Sequence, residues 1–126
     1  MVNNTIPLEK ELSFTRFDMM CERYPDNTAV VYLGEKFSYR RLKNLSERFA
    51  AGLRALGIKK GDKVAVFLPN LPHFPEILFG ILKAGAVSVN CNPVYTANEL
   101  NHQLKDSESK MVFCMDHPVF YQNTVE

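Results

Sequence analysis

Hydrophobic positions change their period along this chain, and the changes mark out its elements. Phe14, Phe17, Met20, Cys21 and Tyr24 recur at helical spacing behind Ser13, a suitable cap, and Pro25 stops the run. Ala29 to Tyr32 reads as a short strand, and the turn Leu33-Gly34-Glu35 returns the chain into Lys36-Phe37-Ser38, a small hairpin. From about Tyr39 to Leu56 the apolar set Leu42, Leu45, Phe49, Leu53 and Leu56 steps by 3, 4, 4 and 3. That is the stripe of an amphipathic helix with one face packed. Gly57 stands where a left-handed cap would end it.

Beyond Asp62 the pattern becomes continuous rather than striped. Val64 to Leu68 is apolar throughout, as a strand covered on both faces must be. Pro75 is expected to open a helix over residues 76–84 that is apolar nearly all round and therefore buried. Its Gly80 would let a neighbour approach closely, and Gly85 closes it. Ala86 to Val89 is a second core strand. Thr96 and Glu99 have the spacing of a capping box before a short helix carrying Leu100 and Leu104. Met111 to Met115 is a third core strand, and Asp116-His117-Pro118 is expected to start a further helix. The alternation predicts an α/β fold: a mostly parallel sheet with helices on both faces, preceded by a short hairpin. Residues 1–12 read as a tail and 13–126 as one domain. With three parallel strands the sheet keeps long apolar edges, and Val119 to Glu126 has no stop signal, so the domain is expected to be incomplete.

Composition narrows the function classes more than it selects one. The 126 residues are 46% hydrophobic and 23% charged, an ordinary soluble balance, with a net charge of +1. The total gives no push toward nucleic acid or anionic membrane. Its distribution is uneven, because Arg40, Arg41, Lys43, Arg48, Arg54, Lys59, Lys60 and Lys63 face only Glu47 and Asp62 within their window. That stripe is either a phosphate-holding surface or a solvated helix face and a lysine-rich turn. Cys21, Cys91 and Cys114 are odd in number and widely spaced, which suits reduced buried thiols in a cytoplasmic protein. No apolar segment resembles a signal peptide or reaches membrane-spanning length.

Candidate chemistry is sparse. Ligands of open α/β sheets sit beyond the carboxyl ends of the strands, which here carry Asn70, the segment Asn90-Cys91-Asn92, and Asp116. These residues either shape a substrate pocket or serve as turn and cap residues. The segment Gly57 to Lys63 has the glycine and lysine content of a phosphate loop but leads into a strand, not a helix. His73, His102 and His117 lack metal-ligand spacing. No catalytic, cofactor-binding or metal-ligating residue is assigned.

Five segments, in order, carry a resemblance: Phe37-Ser38-Tyr39-Arg40-Arg41-Leu42, Lys60 to Val66, Leu68-Pro69-Asn70, Leu82-Lys83-Ala84-Gly85-Ala86, and Asn92 to Leu100. From about Ser13 onward the chain resembles the N-terminal subdomain of the adenylate-forming enzymes, the superfamily of acyl-CoA synthetases, firefly luciferase and nonribosomal-peptide adenylation domains. The Asn-Pro-x-Tyr-x-x-x-Glu-Leu form at Asn92 to Leu100 is most similar to medium- and long-chain fatty acyl-CoA ligases. The resemblance implies ATP, Mg2+ and CoA as cofactors of a full-length member and a fatty acid or other carboxylate as substrate. Such a member makes an acyl adenylate and pyrophosphate, then an acyl-CoA and AMP. The family's phosphate loop, Thr-Glu segment, ribose-binding Asp and C-terminal Lys have no counterpart here. The resemblance therefore implies an N-terminal fragment, inactive alone and binding none of these cofactors tightly. Two other readings stand beside it: a non-catalytic α/β binding or assembly module, and a luciferase-like or peptide-synthetase adenylation fragment. Uncovered sheet edges add self-association as a further expectation.

Overall fold

The computed structural model describes residues 13–117. Helix α1 (Ser13–Arg23) leads into an antiparallel hairpin of β1 (Thr28–Tyr32) and β2 (Glu35–Ser38). There follow α2 (Tyr39–Ala55), β3 (Lys63–Phe67), α3 (His73–Lys83), β4 (Val87–Asn90), α4 (Ala97–Ser107) and β5 (Met111–Cys114). β3, β4 and β5 form a parallel sheet in the order β4-β3-β5, separate from the hairpin. The α/β class, the parallel sheet and the hairpin are as the sequence predicts. The expected tail and the helix after Asp116 lie outside the described residues, and Ser13 lies within α1 rather than before it.

The apolar run of β3 is central, and both of its faces are covered. Val64, Val66 and Leu68 point toward α2 and α3, where they meet Ala50, Leu53, Ile77, Ile81 and Ala84. Ala65 and Phe67 point the other way and meet Leu100 of α4 and Cys91. Residues that alternate across a pleated strand and are all apolar leave no face for water, so β3 needs helices on both sides.

Helices α2 and α3 end in the same way. Gly57 (φ +91°) donates its N–H to Arg54 O, and Ile58 donates to Leu53 O; Gly85 (φ +78°) donates to Leu82 O, and Ala86 to Ile81 O. Both are Schellman stops, and in each the apolar residue after the glycine is buried in the same core as its acceptor. One motif thus terminates the helix and anchors the approach to the next strand.

Three expectations need correction. α3 starts at His73, two residues before Pro75. A proline in the first helical turn costs nothing there, because those N–H groups have no intrahelical acceptor. α3 is also less buried than its composition implies: Ile77, Gly80 and Ile81 are buried, while Leu78, Phe79 and Leu82 are only half-buried. Helix α1 gives it partial cover, with the Phe17 and Phe79 rings stacked 4.1 Å apart. Finally, the stripe of α2 is rotated, with Leu42, Ser46, Ala50 and Leu53 buried and Leu56, beyond the helix, 69% exposed. Small residues face α3 because the two helices come close. A Cβ on Gly80 would lie 2.6 Å from Phe49 and 3.0 Å from Ser46 O. Ser46 remains satisfied by donating its hydroxyl to Lys43 O at 2.8 Å.

Candidate functional site

Parallel strands share a direction, so the carboxyl ends of β3, β4 and β5 meet at one edge of the sheet. The structure places Asn70, the segment 90–92 and Asp116 there, and their contacts favour local roles. Asn92 Oδ1 accepts the Val94 N–H at 3.1 Å, closing an Asx turn. Asn90 Oδ1 accepts from Ser88 Oγ at 2.8 Å, while its backbone carbonyl accepts from Gln103 Nε2 at 3.3 Å. Asn70 and Asp116 are exposed, and Cys91 is buried under Leu100. Burial pushes the Cys91 thiol above its ordinary range, so it packs as an apolar group and not as a nucleophile.

The same edge holds a pair the sequence reading passed over. His73 Nδ1 lies 3.0 Å from Glu76 Oε1, with the imidazole mostly exposed and the carboxylate mostly buried. The i, i+3 spacing is the signal that could have revealed it. It is hidden when the helix is taken to start at Pro75, because His73 then falls in a loop.

Four members of the basic stripe turn out to be tied down. Arg40 pairs with Asp26 and Arg41 with Glu35, each at 3.1 Å, and Lys43 approaches Glu22 at 3.7 Å. Arg54 donates to Lys83 O at 2.6 Å. The acids that answer these residues come from α1, the turn after it and the hairpin, outside the stripe's sequence window, which is why it looks unbalanced in one dimension. Asp62 organises the lysine-rich turn. It accepts the Lys59 N–H at 2.8 Å and pairs with Lys110 Nζ at 2.8 Å. The Lys110 hydrogen bond first, and then the Lys59 N–H, hold its carboxyl below the ordinary carboxylate range. The turn therefore joins β3 to the start of β5 at the end of the sheet opposite the ligand edge.

A nucleotide triphosphate does not fit the carboxyl edge as these residues build it. The segments 68–75, 90–96 and 114–117 contain neither lysine nor arginine, and the side-chain donors they offer are amides, two hydroxyls and the imidazoles of His73 and His117. A polyanion needs cations or a converging set of N–H groups. Among the described residues no three His, Cys, Asp or Glu side chains converge as a metal site. Nor is any described helix long and apolar enough to cross a membrane.

A family model described as AMP-binding enzyme matches residues 17–126. The chain belongs to the AMP-binding enzyme family. Among curated proteins it is 48% identical over 97 residues to the long-chain-fatty-acid–CoA ligase of Escherichia coli, covering 76% of this chain and 17% of that protein. The Salmonella typhimurium ligase of the same name is 46% identical over 102 residues, 80% of this chain and 18% of the relative. The chain thus spans less than a fifth of these relatives' length. Among solved structures it is similar to the Klebsiella oxytoca NpsA N-terminal subdomain in complex with anthranilyl-AMSN, with a TM-score of 0.81 and 25% identity over 86% of this chain and 28% of that one. A Mycobacterium tuberculosis fatty acyl CoA synthetase matches with a TM-score of 0.74 and 35% identity over 78% of this chain and 20% of that one. The chain corresponds to the N-terminal part of the adenylate-forming fold, as its five motifs imply.

Proposed function

We propose that this chain is the opening part of the N-terminal subdomain of a cytoplasmic, ATP-dependent fatty acyl-CoA ligase. The whole enzyme would use Mg-ATP to convert a fatty acid to its acyl adenylate, releasing pyrophosphate, and CoA to convert that to the thioester, releasing AMP. The observation that carries the reading is the 48% identity to a long-chain-fatty-acid–CoA ligase, sustained over 97 residues.

Within such an enzyme these residues act as scaffold. They hold three strands in register and present their carboxyl ends, while the cations and nucleotide contacts come from elsewhere. The chain alone is accordingly inactive. Purified protein incubated with ATP, Mg2+ and palmitate should release no pyrophosphate above a no-enzyme control; sustained release dependent on the fatty acid would overturn this. A peptide-synthetase reading has one specific support, 40% identity over 82 residues to triostin synthetase I of Streptomyces triostinicus. It would be preferred if the ligase containing this segment exchanged pyrophosphate with an amino acid or aryl acid and not with palmitate.

A further inference from the structure

Helix α1 lies over α2 and α3 with a cleft at each of its ends. At its start a space of about 400 Å3 separates Ser13 and Phe14 from Lys60, Leu82 and Ala86. At its end another, of about 390 Å3, separates Cys21 and Pro25 from Lys43 and Glu47. Of the eleven residues of α1 only Cys21 is buried, and Met19 and Met20 turn outward. A void forfeits the dispersion contacts that a filled interface makes, so little packing holds this helix down.

Its fastenings are side-chain contacts. The Phe17 ring stacks on Phe79 at 4.1 Å, and Glu22 approaches Lys43 at 3.7 Å. Asp18 Oδ1 lies 2.7 Å from Lys83 Nζ, with Glu47 Oε1 3.8 Å from the same ammonium. Asp18 Oδ1 and Lys83 Nζ are both buried, yet neither makes an aligned hydrogen bond among the described residues. A buried ion pair offsets the cost of its own dehydration only when its geometry is good. The segment after α1 is firmer. Pro25 O accepts the Arg40 N–H at 2.9 Å, and Asn27 O accepts that of Tyr39 at 3.1 Å. The chain is thus pinned to the start of α2 just beyond α1, and rotation at Tyr24 would free the helix without breaking either bond.

We propose that α1 is a strap, closed in this structure, that opens as a unit at Tyr24 while α2, α3 and the sheet stay folded. Asp18 and Lys83 are its latch. Opening uncovers Phe79 of α3, together with Leu82, which shares its cleft with Phe14. It also rehydrates the Lys83 ammonium and brings the Cys21 thiol into solvent. The close approach of α2 and α3 at Gly80 involves Phe49 and Ser46 and not α1, so it survives the opening. This property goes beyond the scaffold role and does not depend on the ligase reading.

Two thiols make the comparison that tests it. Cys21 and Cys91 are almost equally buried, 3% and 5% exposed, but only Cys21 belongs to α1. The 126-residue chain is treated with excess aromatic disulfide. Labelling at each thiol is read by peptide mass and divided by its rate in the urea-unfolded chain. Cys21 should react at least about tenfold faster than Cys91, and the amides of α1 should exchange faster than those of α2 and α3 by a similar factor. Asp18→Asn strands the buried ammonium, so it should speed labelling at Cys21 about tenfold and leave Cys91 unchanged. Adding Lys83→Met to Asp18→Asn removes the stranded charge and should return Cys21 toward the wild-type rate, which a general loss of stability would not do. Equal labelling of the two thiols in the wild type would overturn the proposal, because the thiols would then be reached by one global opening. So would a rise at both thiols in Asp18→Asn, no rise at Cys21 in that variant, or no recovery in the double variant.

Discussion

The two faces of the sheet are closed by different means. On one, α2 and α3 pack against β3 and against each other, close enough at Gly80 that no side chain fits between them. α1 then lies outside them, held by the Phe17–Phe79 stack and by Lys83, whose side chain is only 8% exposed and lies 2.7 Å from Asp18. On the other face, among the described residues, α4 is the one helix, seated through Leu100 and fastened at its start by a complete capping box between Thr96 and Glu99. The first face depends on shape matched between distant segments. The second depends on one apolar anchor and a local hydrogen-bond pattern. Damage to the first should therefore spread through the protein, and damage to the second should stay with one helix.

The largest expected effect tests the second face. Leu100→Ala removes a fully buried side chain and should cost about 2–5 kcal/mol. Hydrogen exchange should locate the loss in α4, leaving α2 and α3 protected; uniform loss throughout would erase the distinction between the faces. Gly80→Ala tests the first face from within. The added methyl would meet Phe49 and a backbone oxygen, so the helices must part, at a cost of about 1–3 kcal/mol. Its signature in chemical denaturation is destabilisation accompanied by shifted resonances in both α2 and α3. An unchanged midpoint would mean the close approach is not real.

Smaller changes sharpen the picture. Thr96→Ala deletes the hydroxyl that accepts the Glu99 N–H and should cost about 1 kcal/mol, read as a lower urea midpoint with an unchanged slope. Asp62→Asn acts at the lysine-rich turn and should be visible in acid. Because the Asp62 carboxyl is held below its ordinary value, its contribution is complete above the ordinary carboxylate range and is lost as pH falls through the lowered value. The wild-type melting temperature should thus fall more steeply than that of the variant below about pH 4. Parallel acid limbs would show that Asp62 contributes nothing by its charge.

Much of the fold is local information. The capping box at Thr96, the stop at Gly57 and the unbroken apolar run of β3 each appear in a few adjacent residues, because the groups that must be satisfied are neighbours in the chain. Gly80 is also legible as a site of close approach, although its partners, Phe49 and Ser46, are not. The resemblance to adenylate-forming enzymes is legible for a related reason: its motifs lie in the turns and caps that fix the strand ends.

What the chain alone left open involves residues far apart in sequence. Electrostatic partners act through space, so the stripe from Arg40 to Lys63 reads either as a phosphate-holding surface or as a solvated face, and only the fold brings Asp26, Glu35 and Glu22 against Arg40, Arg41 and Lys43. The face that α2 buries depends on what packs there, which is why Ser46 lies inside and Leu56 outside. His73 and Glu76 became a pair only once the true start of α3 put them on one turn. The contact of Gln103 with the Asn90 carbonyl is of the same kind, because it forms only after α4 has crossed the sheet. Sequence determined the elements, their order and their stops, since those answer to hydrogen-bonding groups a few residues apart. Tertiary structure decided which charges are neutralised and which face is buried, since those depend on groups that only folding makes neighbours.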